Sequence, residues 1–213
     1  MTGTPAALLV DYGGVLTERM DLTQSRFCQA AGIEPGSLLR VLDEWVARPG
    51  PDSPVPAMER GEITVAAFER LLAARLTGID GVPVRPDGLL QAMFADGRLD
   101  EQTLDLVAEL RRAGVRTAMV SNAWGSDYPF DRLHACFDAF VLSHEVGSRK
   151  PEPDIYLRSA QLLDVAPQDC VFVDDRAANV HGAQLVGMVG LHFTDPAAGR
   201  ARLRELFDHS PHR

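Results

Sequence analysis

Five short apolar runs recur along the chain: Ala6–Val10, Arg116–Val120, Ala139–Leu142, Cys170–Val173 and Val189–Phe193. Each has about the length of a buried strand and lacks the polar alternation of a strand with one wet face. Between the later runs the period lengthens to that of a helix. In Leu99–Ala113, the residues Leu104, Val107, Ala108 and Leu110 gather near one face with Asp, Glu and Arg opposite, and Gly114 supplies the stop. Asp154–Leu163 and Ala177–Val186 are further amphipathic helices. Strands alternating with helices predict an α/β fold, a Rossmann-like, doubly wound parallel sheet covered on both faces. Ligands of such sheets gather at the carboxyl ends of the strands, which singles out Asp11, Ser121 and the pair Asp174–Asp175.

The stretch from Thr17 to Arg98 follows a different pattern. It reads as helical at Asp21–Ala31, Ser37–Ala47 and Thr64–Leu76, with no strand, and Arg48–Pro56 is too rich in proline for either element. An all-helical insert after the first strand predicts a small α-helical cap, residues 17–98, over a core formed by 1–16 and 99–213. Trp45 belongs to the packing of that insert.

Bulk properties narrow the function more than the fold. A length of 213 residues suits one well-buried domain with a smaller insert. The formal net charge of −9 disfavours a nucleic-acid partner while permitting a small phosphorylated substrate. Cys28, Cys136 and Cys170 have neither disulfide nor metal-ligand spacing and read as reduced thiols of a cytoplasmic protein. No apolar run approaches the roughly 20 residues of a membrane span. Arg200–Arg204 reads as the solvated face of a terminal helix.

Four segments carry candidate chemistry. Asp11 ends the first strand beside Gly13 and Gly14, which allow close backbone approach to a ligand. Ser121 and Asn122 end the second, where a hydroxyl and backbone N–H groups can hold a phosphoryl oxygen. Lys150 is the only lysine among 21 lysines and arginines, and a tight site can demand its compact charge where the wide arginine fork will not fit. Asp174 and Asp175 are adjacent acids that call for a cation, and magnesium favours such oxygen donors. Each segment alone also has a purely structural explanation as turn or helix-capping chemistry.

Together, and in this order, these segments resemble the haloacid dehalogenase-like hydrolase superfamily, closest to its phosphatase-like branch with a helical cap after the first motif. Met58–Thr64 in the insert and Ser121–Trp124 at the second motif add to a likeness that runs from about Leu8 to Phe193. The resemblance implies a Mg2+-dependent phosphatase of small phosphorylated metabolites. Asp11 would be the nucleophile, Ser121 and Asn122 would bind the transferring group with Gly14 close by, and Lys150 would balance charge. Asp11, the Gly13 carbonyl, Asp175 and Asp174 (directly or through water) would hold the metal.

The sequence departs from the family pattern at Gly13, where most of these phosphatases carry a second Asp as general acid and base. Such a group is worth about 10²- to 10⁴-fold in rate. Its absence leaves three possibilities: substrates with good leaving groups such as sugar 1-phosphates or acyl phosphates, a substitute acid at Glu18, Glu59 or His144, or vestigial chemistry. Two other functions stay open, a catalytically impaired binding protein and a metal-independent 2-haloacid dehalogenase. The paired acids weigh against the dehalogenase.

Overall fold

Burial of both faces of every central strand dictates the architecture. The structure is a computed structural model and describes residues 4–34, 36–47, 53–125 and 127–208. The strands are β1 (Ala7–Val10), β2 (Arg116–Ser121), β3 (Ala139–Leu142), β4 (Cys170–Asp174) and β5 (Val189–His192), all parallel, in the order β3-β2-β1-β4-β5. They match the five apolar runs to within a residue at each end. The helices are α1 (Met20–Ala30), α2 (Ser37–Ala47), α3 (Pro54–Glu59), α4 (Val65–Arg75), α5 (Leu89–Phe94), α6 (Glu101–Arg112), α7 (Phe130–Leu133), α8 (Ser143–Val146), α9 (Pro153–Leu162), α10 (Ala177–Leu185) and α11 (Pro196–Phe207).

Successive residues of β1 serve opposite layers, as the pleat requires. Leu8 and Val10 pack with Leu104, Val107 and Leu110 of α6 and with Leu203 and Phe207 of α11. Ala7 and Leu9 pack on the other side with Ile155, Tyr156 and Ala160 of α9 and Ala183 of α10. The fold is therefore the doubly wound α/β sandwich that the hydrophobic pattern predicts. Among the described residues no helix is long and apolar enough to cross a membrane.

α1 to α5 build their own apolar cluster, with Phe27, Ile33, Leu38, Trp45, Phe68, Leu72 and Leu90 at its centre. Its two ends meet: Thr17 and Leu99 form an isolated antiparallel bridge, and Glu18 N–H donates to the Arg98 carbonyl at 2.8 Å. Trp124 reaches into the cluster from the loop after β2, its ring edge-on to Phe68 with centroids 5.3 Å apart.

Two expectations change. The Arg48–Pro56 segment lies outside the described residues from 48 to 52, while Pro54, Val55 and Pro56 open α3 and are not loop. The first turn of a helix has no partners for its N–H groups, so two prolines there forfeit nothing. Arg202 and Arg204 are exposed on the expected solvated face, but Arg200 turns inward. It donates to Asp100 at 3.0 Å and Gln102 at 2.7 Å, fastening α11 to the start of α6, while Leu203 is fully buried.

Candidate active site

The sheet register assembles the site. Val10 is level with Met119 of β2 and with Val173 of β4, so one residue further along Asp11, Val120 and Asp174 stand side by side. Lys150 enters this row from the loop before α9. Its Nζ donates to Asp11 Oδ1 at 2.5 Å, to the Val120 carbonyl at 2.9 Å and to Asp174 Oδ2 at 2.8 Å. Three acceptors thus meet the three donors of an ammonium whose residue is 1% exposed. Removing one partner of such a buried pair costs about 3–5 kcal/mol because the other charge is left uncompensated.

The acids outnumber the cation. Asp11, Asp174 and Asp175 each bring a carboxylate oxygen within 4.8 Å of the others. Burial lifts the Asp11 carboxyl to about 8, and Asp174 adds to the rise while Lys150 opposes it. Asp175 is raised by the same two causes, burial and then Asp174. Burial alone would lower the Lys150 ammonium, but Asp11 and Asp174 reverse that and hold it above its ordinary value. Three carboxylates against one ammonium leave an excess that a divalent cation matches in charge, and an all-oxygen donor set suits magnesium.

Asp174 is the most heavily bonded of the three. Besides Lys150 it accepts from the Arg176 N–H at 2.9 Å and, on both oxygens, from Asn179 Nδ2 at 3.0 Å. Asn179 sits in the first turn of α10, where the helix brings it back over the end of β4, and Tyr156 donates to its carbonyl at 2.8 Å. Asp175 is freer, and Gly14 makes room for it. A Cβ at 14 would lie 2.4 Å from Asp175 Oδ2, and the backbone there has φ of 79°, the left-handed region that favours glycine. The Gly14 N–H donates to Thr17 Oγ1 at 3.0 Å, and the absence of a side chain at 14 clears space for the Asp175 carboxylate.

Asn122 stands directly behind Ser121, with its side chain turned to Lys150. Its Oδ1 accepts from the Lys150 N–H at 2.8 Å and its Nδ2 donates to the Lys150 carbonyl at 3.0 Å, so the side chain grips the lysine backbone. Ser121 Oγ lies 3.0 Å from the hydroxyl of Tyr128, whose ring packs edge-on against Tyr12 at 4.8 Å. Burial pushes the Tyr128 phenol up to about 12, which keeps it neutral and able to donate. Tyr128 carried no signal in the sequence, since its spacing from Ser121 belongs to a loop. Asn179 was legible only as part of the Asp174–Asn179 segment.

Two of the three substitute acids are otherwise engaged, while the third, His144, has its ring Nδ1 buried without a partner among the described residues. Glu18 is held below the usual range first by its hydrogen bond from Arg26, so it is a poor proton donor. Glu59 is buried and accepts from Arg149, Trp124 and Asn122. His144 lies beneath Gly61, its carbonyl 2.7 Å from where a Cβ at 61 would sit. The side of Gly13 from which an acid would project is taken by Met20, whose sulfur lies 3.2 Å from a Cβ built at 13.

The haloacid dehalogenase-like hydrolase family model matches residues 6–187. A sesquiterpene phosphatase of Aspergillus oryzae is 36% identical over 113 residues, 51% of this chain and 58% of that protein. Hexitol phosphatase A of Escherichia coli is 30% identical over 154 residues, 69% of this chain and 62% of that protein. Both matched stretches fall short of two thirds of those proteins. A haloacid dehalogenase family enzyme of Bacteroides thetaiotaomicron, solved with magnesium and inorganic phosphate, shares the fold at TM-score 0.61 and 23% identity over 88% of this chain and 92% of that one.

Proposed function

The chain belongs to the haloacid dehalogenase-like hydrolases, and from that membership we propose that it is a magnesium-dependent phosphatase of small phosphorylated metabolites, with Asp11 as nucleophile. The observation that carries this reading is the level row of Asp11 and Asp174 bridged by the only lysine. The phosphatase relatives and the magnesium-bound structural neighbour support it. Free, buried cysteines suit the cytoplasmic setting expected from the sequence. In this reading residues 17–98 act as a cap over a core of 1–16 and 99–213.

A carboxylate oxygen of Asp11 attacks phosphorus and the bond to the leaving oxygen breaks, giving an aspartyl phosphate. Water then attacks that phosphorus, releases phosphate and restores the carboxylate. Lys150 opposes the burial that raises the Asp11 carboxyl, so favouring its ionised form, and supplies positive charge beside the phosphoryl group. The Ser121 hydroxyl, oriented by Tyr128, donates to a phosphoryl oxygen, while Asn122 serves by holding Lys150 in place. Asp11, Asp175 and the Gly13 carbonyl, backed by Asp174, would hold magnesium, which supplies charge neutralisation on the phosphoryl oxygens.

With Met20 beside Gly13, this part of the site offers no proton to the leaving oxygen. Substrates with good leaving groups, such as sugar 1-phosphates and acyl phosphates, are therefore favoured over sugar 6-phosphates. The test is hydrolysis of such a panel with and without magnesium, beside Asp11→Asn. Magnesium-dependent turnover that the variant loses is the expected result. Turnover of a 2-haloacid that survives chelation would favour the dehalogenase instead, and no turnover at all the binding protein.

A further inference from the structure

Glu59 is a carboxylate of the helical insert that is only 3% exposed. So deep a charge is tolerated only when donors surround it. Its donors all come from outside the insert. Arg149 donates through Nε, Trp124 through Nε1 at 2.8 Å and Asn122 through Nδ2 at 3.2 Å. Trp124 and Asn122 lie in the loop after β2, and Arg149 is the residue before Lys150. Asn122 is therefore shared: one amide reaches Glu59 and both backbone groups of Lys150. From Glu59 to the ammonium between Asp11 and Asp174 the chain of contacts is unbroken.

We propose that Glu59 is a positioning residue, which through Asn122 and Arg149 fixes the backbone of Lys150. Seating of the insert and placement of the ammonium are then one event. A second tie between the insert and the same loop exists for comparison: Arg60 Nη2 meets Glu152 Oε1 at 2.5 Å, and Glu152 accepts from the Arg149 N–H at 3.1 Å but touches neither Asn122 nor Lys150. Glu59→Gln keeps the shape but turns an amide NH2 toward donors.

The single lysine makes the test direct, because protein labelled with 15N-lysine gives one lysine amide signal and one ammonium signal. Glu59→Gln is expected to shift the Lys150 amide and speed exchange of its ammonium protons, whereas Arg60→Ala leaves both near wild type. The activity arm rests on the phosphatase reading. There Glu59→Gln lowers kcat by about 10- to 100-fold with KM little changed, the size expected of a displaced catalytic group. In an Asn122→Ala background the same change adds little, as coupled residues require. Should Glu59→Gln not fold, Trp124→Phe removes one donor and is expected to move the Lys150 signals in the same direction by less. Unchanged lysine signals in Glu59→Gln, or equal effects of Glu59→Gln and Arg60→Ala, would overturn the proposal. A wild-type protein without turnover would sink the phosphatase reading alone, since the lysine signals still decide the role of Glu59.

Discussion

At the scale of single residues, Gly13 is where the sequence departs from its family and where the structure adds most. Its backbone lies outside the left-handed region, and the nearest obstacle to a side chain is the flexible end of Met20. Gly13→Asp is thus expected to fold, with Met20 giving way by a few tenths of an ångström. The new carboxyl should raise kcat on sugar 6-phosphates by about tenfold or more, toward the roughly 10²- to 10⁴-fold worth of such groups, and change sugar 1-phosphates less. Equal gains on both classes would show that leaving-group protonation is not what the wild type lacks. The acids and Lys150 were legible because they end apolar runs or stand out by composition. The hydrogen-bond partners of Gly14 and Asn122 were not, because which group takes a backbone or amide donor depends on loops folded against each other.

At the scale of elements, the strands and long helices were legible to within a residue or two, since burial on both faces leaves a continuous apolar signature. The departures were α3, where prolines read as loop, and Arg200, which leaves the otherwise solvated face of the chain's last helix to bond α6. The start of β3 shows how such an element is fixed. Asp138 accepts from the Thr117 N–H and from Arg111 Nε, both at 2.9 Å, and its own N–H donates to the Thr117 carbonyl. Burial would raise this carboxyl, yet the Thr117 N–H and Arg111 outweigh it and hold it below its ordinary value. A depressed folded value stabilises above the unfolded pKa and is lost as pH falls through the folded one. Asp138→Asn should therefore cost about 1–2 kcal/mol at pH 7, with the gap to wild type closing below about pH 4. Denaturant melts across that range would refute this if the gap stayed constant.

At the scale of the whole molecule, the acid cluster joins the ends of two central strands, β1 and β4, so its charge acts on global stability. Burial, with Asp174 beside it, raises the Asp11 carboxyl to about 8 from an ordinary value of 3.8. A raised carboxyl binds its proton more tightly folded than unfolded, so its contribution is full below about pH 4 and declines as pH rises toward 8. The loss is at most about 1.4 kcal/mol per pH unit. Magnesium should restore it, and the melting-temperature gain on adding magnesium to chelated protein should grow from pH 5 to pH 8. A gain independent of pH would place the ion elsewhere. Topology was the most legible feature of all, since alternating strands and helices admit few connections. The bridge between Thr17 and Leu99 could not be read, because it pairs residues far apart in sequence. Its consequence is architectural. A chain that departs and returns through one narrow doorway imposes no length on what lies beyond. Evolution, or a protein engineer, can swap that whole chamber for another and leave the walls that hold Asp11 standing, provided the replacement again offers Asn122 and Arg149 a carboxylate where Glu59 now stands.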